Sequence, residues 1–126
     1  MGEHVTVYDP GASKRWKQYA SHQMIKATKR AAPLEGPVSV TLIAAFACPK
    51  ADHRKQNPAR RRWSNSPKDL DNIVKAALAA ANGVIWQDDR QVVRLEAYKV
   101  IAEQGAEPYV EMVVKPIEGE PPMEAV

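Results

Sequence analysis

Residues 67–72 read Pro-Lys-Asp-Leu-Asp-Asn, and residues 86–91 read Trp-Gln-Asp-Asp-Arg-Gln. The stretch between them is rich in alanine, and its apolar residues recur at the spacing of one helix face. We therefore predict a helix that begins near Asp69–Asn72, runs to about Ala81, and stops at Asn82-Gly83. At 1.5 Å per residue the helical segment spans about 15 Å, and it separates two pairs of acids.

The N-terminal half of the chain predicts one more helix and one strand. Residues 13–32 have apolar residues at helical spacing, with Ser13 as a candidate N-cap. Residues 38–47 are β-branched and roughly alternating, which indicates a strand. Residues 49–66 are polar and basic and contain two prolines. We expect this segment to be a mobile basic loop, and loops of such length are often functional.

Two more strands are predicted on the C-terminal side of the central helix, over residues 91–102 and 109–115. The Glu- and Pro-rich residues 116–126 are expected to be disordered. The first of these strands alternates, with Val93, Leu95 and Ala97 on one face and Arg94, Glu96 and Tyr98 on the other. The order of elements indicates an α+β fold, a small mixed sheet packed with two main helices.

Length and composition favour an ordinary intracellular domain. The chain has 126 residues, 44% of them hydrophobic and 26% charged, and we expect a single domain over residues 1–115. No apolar run approaches the roughly 20 residues of a membrane span, and the N-terminus lacks the apolar stretch of a secretory signal. Cys48 is the single cysteine, so an internal disulfide is excluded. We therefore expect a cytoplasmic protein with no membrane partner.

The net charge of +3 hides a strong asymmetry along the chain. Residues 1–32 carry six Lys and Arg against two acids, residues 50–68 carry seven against one, and residues 101–126 carry six Glu against one Lys. A basic front with an acidic tail is typical of a protein that binds nucleic acid or another polyanion. The alternative is a merely solvated basic surface. The candidate DNA contacts are Lys14, Arg15 and Lys17 in the first helix and Arg60, Arg61 and Arg62 in the loop.

The four acids can be explained in two ways. If Asp69-Leu70-Asp71 is extended, both carboxylates point to one side and could hold one cation. Helix capping explains one of these two acids, and a turn would explain Asp88-Asp89. A strand that returns along the helix could bring Asp88 or Asp89 back beside Asp69 and Asp71. Acids next to a basic surface suit a protein that carries Mg²⁺ to a polyanion.

Lys75 and Trp63 each have two explanations. Lys75 lies four residues after Asp71, so it could form a surface ion pair, or it could stabilise charge on a phosphate. Trp63 follows the three arginines, so it could stack on a base, or it could pack onto the protein. The residues alone leave both questions open.

The two acidic segments carry a resemblance to a known family. Residues 69–76, Asp-Leu-Asp-Asn-Ile-Val-Lys-Ala, and residues 86–92, Trp-Gln-Asp-Asp-Arg-Gln-Val, are similar to the D-L-D-N-x-x-K-A and W-x-D-D-x-Q-V segments of the RusA family of Holliday junction resolvases. This family is common in bacteriophages and prophages. The strong similarity covers residues 67–93, and a weaker one extends over about 13–115.

The resemblance implies a homodimeric, Mg²⁺-dependent endonuclease that makes symmetric nicks in four-way DNA junctions, and Mn²⁺ is expected to substitute. It implies metal ligands at Asp69, Asp71 and Asp89, with Asp88 adjacent, and an essential lysine at Lys75. Lys68 occupies a position that is often basic in the family and is expected to contact DNA. Family members usually begin with an extra strand that contains a proline-rich segment. This chain starts close to its first helix, so we expect that strand to be absent.

Two other functions compete with junction resolution. One is a nuclease of similar chemistry that acts on flaps or forks, which the sequence does not distinguish. The other is a non-catalytic DNA-binding or architectural protein whose acids are caps and turns. Cleavage that depends on a divalent metal would separate the last function from the first two.

Overall fold

A computed structural model of the chain describes residues 3–8, 14–67 and 69–125. It confirms the predicted α+β class, with two helices on a five-stranded mixed sheet. In chain order the elements are β1 (Glu3–Tyr8), α1 (Lys14–Ala27), β2 (Val38–Phe46), β3 (Arg62–Trp63), α2 (Leu70–Ala81), β4 (Val92–Ile101) and β5 (Tyr109–Pro116). Two short 3₁₀ turns lie at Lys50–Asp52 and Asp89–Gln91. No helix in the described ranges is long and apolar enough to cross a membrane.

The sheet has the strand order β1-β5-β2-β4-β3, which places β2 at its centre. Strand β2 pairs in parallel with β4 and antiparallel with β5, and the other two pairings are antiparallel. Successive side chains of β2 point to opposite faces of the sheet. Those on the helix side are fully buried: Val38, Val40, Leu42 and Ala44.

The main core lies between the sheet and the two helices. Helix α1 contributes Trp16, Ala20 and Met24, and α2 contributes an apolar face made mostly of alanine. The segment after α2 adds Ile85 and Trp86, of which Trp86 is completely buried. The Trp86 indole N–H donates to the Asn82 side-chain oxygen at 2.8 Å, so its one polar atom is satisfied as the ring closes the end of the core.

The expectation that the first strand is absent is wrong. Residues Glu3–Tyr8 pair with β5 over their whole length, from Glu3 opposite Val114 to Tyr8 opposite Tyr109. Val5 and Val7 are buried, whereas His4 and Thr6 on the other face are exposed. The alternation needed for an edge strand was present in the sequence, and no proline-rich start is required for it.

Two segments differ from the predicted elements in smaller ways. Helix α1 ends at Ala27 rather than near residue 32, because Lys29 and Arg30 have positive φ angles of 56° and 57°. The predicted cap at Ser13 lies outside the described residues. The segment 49–66 contains a 3₁₀ turn and strand β3, and the Gln104 side chain binds the backbone of Arg54 and Ala59 within it. The α2 helix and strands β2, β4 and β5 lie within one or two residues of their predicted bounds.

We expect Val5→Ala to lower the free energy of unfolding by about 2 kcal/mol, because it removes two buried carbon groups at about 0.8 kcal/mol each and leaves a small cavity. Urea unfolding monitored by circular dichroism would measure this loss. Thr6→Ala on the exposed face of the same strand is the matched control and should change stability by less than about 0.5 kcal/mol. Equal effects of the two substitutions would show that β1 does not dock as described.

Candidate active site

The first acidic pair lies at the start of α2. Asp69 has an extended backbone, and its carboxylate accepts a hydrogen bond from the Asp71 N–H at 3.1 Å, which makes it the N-cap of the helix. Leu70 already belongs to the helix and packs against the core, so the tripeptide is not extended throughout. Capping therefore accounts for Asp69, and the Asp71 carboxylate in the first turn is left exposed beside it.

Lys75 forms an ion pair with Asp71 on the exposed surface of α2. The Lys75 Nζ lies 3.2 Å from Asp71 Oδ2, with the side chains 73% and 66% exposed. A pair of this kind one helical turn apart contributes only a few tenths of a kcal/mol. The surface pair that the spacing predicted is thus formed. It also leaves the ammonium group accessible to a phosphate that approaches the start of the helix.

The second acidic pair lies in the turn between Trp86 and β4. Asp88 is the N-cap of the 3₁₀ turn, and its carboxylate accepts from the Arg90 N–H at 3.0 Å. Asp89 is the first residue of the turn and is exposed. Among the described residues its carboxylate has no hydrogen-bond partner. Of these two acids, Asp88 has a structural task and Asp89 is available for a ligand.

Gln91 fixes this turn to the rest of the protein. Its side-chain oxygen accepts from the N–H groups of Gln87 and Asp88 at 2.9 and 3.1 Å. Its side-chain nitrogen donates to the carbonyls of Leu34 and Gly36, both at 2.9 Å. One half-buried amide therefore joins the Asp88-Asp89 turn to the segment that leads into β2. Sequence reasoning did not single out Gln91, although Asp88-Asp89-Arg90-Gln91 has the spacing of a capping box.

The two acidic pairs lie at opposite ends of α2, a helix of 12 residues and hence about 18 Å long. The strand that follows does return toward the start of the helix, but it brings Lys99 there, whose Nζ donates to the Ser66 carbonyl at 2.7 Å. Across the described ranges no group of three or more His, Cys, Asp or Glu side chains is arranged to hold a metal ion. Exposed carboxylates are the donors that Mg²⁺ prefers, so the ligand chemistry fits although the four acids are not gathered in one chain.

The three arginines predicted to bind DNA lie in different environments. The Arg62 guanidinium pairs with Asp52 and contacts the Cys48 sulfur. The Arg61 guanidinium donates to the Tyr109 hydroxyl at 3.1 Å, and this hydrogen bond raises the pKa of Arg61. Arg60 is exposed and, within the described chain, has no side-chain partner. The cluster is therefore not one uniform patch.

The structure describes some, but not all, of the remaining candidates for DNA contact. Arg15 and Lys17 are exposed on α1. Lys14 begins α1, and Lys68 lies outside the described residues. Trp63 is 73% exposed, with its ring centroid 5.8 Å from that of Tyr98. Trp63 therefore does not pack into the core, and its open ring face is compatible with stacking on a base.

We expect Gln91→Ala to release the Asp88-Asp89 turn and to lower stability by about 1–3 kcal/mol, because four backbone groups lose their partner. Hydrogen exchange followed by NMR should show lost protection at the Gln87 and Asp88 amides. The control is Gln87→Ala, which changes an exposed side chain in the same turn. Retained protection at both amides in the Gln91 variant would contradict the role given to this side chain.

The chain is similar to known proteins over most of its length. A relative in Bacillus subtilis (strain 168), described as uncharacterized protein YqaN, is 32% identical over 120 residues, which cover 90% of this chain and 80% of the relative. The family model described as endodeoxyribonuclease RusA matches residues 1–114, a range that includes β1, both acidic pairs and Lys75. The chain therefore belongs to the RusA endodeoxyribonuclease family.

Proposed function

We propose that this protein is a Mg²⁺-dependent endonuclease that resolves four-way DNA junctions by paired symmetric nicks during recombination and repair in the bacterial cytoplasm. The observation that carries the proposal is the match of an endodeoxyribonuclease family over residues 1–114. The same range holds the acids and the lysine that the family resemblance assigns to catalysis.

In this proposal the exposed acids have different tasks. Asp71 and Asp89 present carboxylates to solvent, and Asp69 keeps an oxygen available while it caps α2. These three would supply metal ligands, with Asp69 and Asp71 at one end of α2 and Asp89 at the other, so that the described part of one chain does not bring all three to a single ion. Asp88 would mainly hold the shape of the turn, with its second oxygen available as a further ligand. Bound Mg²⁺, for which Mn²⁺ could substitute, would lower the pKa of a water and neutralise phosphate charge.

Lys75 would act on the phosphate from the start of α2. Its ammonium group is exposed, and its ion pair with Asp71 holds it on the same helix face as that acid. A phosphate that reaches the N-terminal end of α2 would also meet backbone N–H groups and the positive end of the helix dipole. The lysine can therefore stabilise negative charge that develops on the phosphate oxygens.

Paired cuts in opposite strands require two active sites, and one chain carries a single set of these residues. We therefore include a C₂ homodimer in the proposal, since this is the commonest closed assembly and matches the symmetry of a four-way junction.

Cleavage of a labelled four-way junction tests the activity directly. We expect nicking with Mg²⁺ and none in excess EDTA, and we expect Asp71→Asn to abolish cleavage together with any rise in melting temperature caused by Mg²⁺. Lys75→Ala should lower the cleavage rate more than tenfold, about 1.4 kcal/mol of barrier, while junction binding stays within about twofold. Glu118→Gln, an exposed acid after β5, is the control and should retain full activity.

The outcomes separate the competing functions. Undiminished cleavage in EDTA would exclude metal dependence. Binding without any cleavage would favour an architectural protein, and faster cleavage of flaps or forks than of junctions would change the substrate. A Lys75→Ala rate within threefold of the unsubstituted protein would identify its pair with Asp71 as structural only.

The different environments of the arginines predict different effects on DNA binding. Arg60→Ala should flatten the plot of log affinity against log salt by about 0.9 for a lost duplex phosphate contact, with no change in melting temperature. Arg62→Ala should instead lower the melting temperature, because it leaves Asp52 and the Cys48 region without their partner. Fluorescence anisotropy with junction DNA at several salt concentrations measures the slopes. An unchanged slope for Arg60→Ala would show that DNA is held elsewhere.

A further inference from the structure

Strand β4 has an open edge along most of its length. On one side it pairs with β2 from Val92 to Ile101, with a bulge that leaves Val93 without a partner in β2. On the other side β3 covers only Val100 and Ile101, and the Ser64 N–H donates to the Lys99 carbonyl at 3.0 Å. In the part of the chain that the structure describes, no strand pairs with residues 92–98 on this side. Such an edge is a ready template for another strand.

The backbone groups on this edge can be identified from the neighbouring hydrogen bonds. The Lys99 carbonyl points away from β2, because it accepts from Ser64. The Ala102 N–H points toward β2, because it donates to the Phe46 carbonyl at 2.7 Å. Since the direction alternates along a regular strand, Ala97 and Leu95 present their N–H and C=O groups outward, up to the bulge at Val93.

The side chains at these positions are unusually exposed for apolar residues. Val93 is 62% exposed and Leu95 is 44% exposed, although Leu95 pairs in the sheet with the buried Val40. Leu95 lies on the helix side of the sheet, as its partner Val40 does, beyond the area that α2 covers, and Val93 lies at the bulge where β4 and β2 shift register. An apolar pair beside unpaired backbone groups has both features that strand addition requires.

We propose that a second copy of this chain pairs antiparallel with this edge, with the two-fold axis at Leu95, and joins two five-stranded sheets into one. The interface rests on the homodimer in the proposed function and does not depend on the nuclease chemistry. In this register Leu95 faces Leu95 of the second copy, and Val93 faces Ala97. The outward backbone groups of Leu95 then form a hydrogen-bonded pair with those of Leu95 in the second copy.

The charged residues select this register over its neighbours. Arg94 and Glu96 lie between the hydrogen-bonded positions, where side chains on adjacent strands approach most closely. With the axis at Leu95, each Arg94 faces Glu96 of the other copy. An axis at residue 94 would place arginine opposite arginine, and an axis at residue 96 would place glutamate opposite glutamate. The open stretch 92–98 is also centred on Leu95.

The charges that this pairing needs are already in place within one chain. The Arg94 guanidinium lies 3.0 Å from Glu96 Oε1, and the Tyr98 hydroxyl donates to Glu96 Oε2 at 2.9 Å. The hydrogen bond from Tyr98, followed by that from Arg94, lowers the pKa of Glu96, so this carboxylate stays ionised. Two copies would form an alternating network of two arginines and two glutamates.

Charge exchange tests the register, with sedimentation equilibrium at tens of micromolar as the measurement. We expect the unsubstituted chain to be a dimer. Arg94→Glu and Glu96→Arg, taken singly, should each weaken association at least tenfold, because like charges then face each other. An equimolar mixture of the two variants should restore association to within about threefold, since both cross-strand pairs of residues 94 and 96 become complementary. A chain that carries both substitutions should also associate to within about threefold of the unsubstituted chain.

The controls separate folding, interface and function. Circular dichroism should show that both single variants remain folded, and Glu118→Arg, with the same change of charge outside the strand, should remain dimeric. Leu95→Asp should be monomeric. A monomeric unsubstituted chain, or a dimer that neither single variant weakens, overturns the interface. A dimer with these properties that cuts no DNA overturns the nuclease and leaves the interface standing.

Discussion

The parallel pairing of β2 with β4 is the constraint on which the rest of the structure depends. Parallel neighbours cannot be joined by a tight turn, so the chain must travel back along the sheet before β4 begins. Helix α2 provides most of that return, and it covers the helix side of the same two strands. The acids at the two ends of α2 are therefore placed by the crossover itself, one pair at each end of the sheet.

The two edges of the sheet differ in the length of the edge strand and in the side chains beside it. At one edge β1 is a complete six-residue strand that pairs with β5 along its whole length. At the other edge β3 has only two residues and leaves residues 92–98 of β4 open. This asymmetry locates the exposed apolar residues on β4 rather than on β1, where the outward side chains include His4, bonded to Glu111 at 2.8 Å. Among the described strands, β1 has an unpaired outer side as well, so the two edges differ in their exposed apolar side chains and not in whether backbone groups are open.

Much of this fold could be predicted from the sequence, because the spacing of apolar residues along a segment indicates which side chains are buried. Helix α2, with its apolar face and Gly83 at a φ of 77°, was predicted within a residue, and so was β2. Strand β1 was missed although His-Val-Thr-Val alternates, because the expectation followed the usual start of the family instead of the residues. Strand β3 could not be seen, since two residues carry no period and their pairing depends on a distant strand.

The site was predicted less completely, because it depends on the directions of elements that no local pattern encodes. The sequence placed two acidic pairs around a helix, but it could not show that β4 returns Lys99, and not Asp89, to the start of α2. The hydrogen bonds that hold the Asp88-Asp89 turn could have been predicted, because Asp88 and Gln91 have the spacing of a capping box.

The placement of the acids and the open edge of β4 belong to one geometric argument. In a single chain, the turn with Asp89 lies at the start of β4, at the end of the sheet away from the N-terminal end of α2. Antiparallel pairing reverses the strand of the second copy, so its turn would lie at the end of the sheet where α2 of the first copy begins. Spacing along one sequence can reveal which residues a site uses. It cannot reveal the relative direction of two strands, and that direction determines which residues meet.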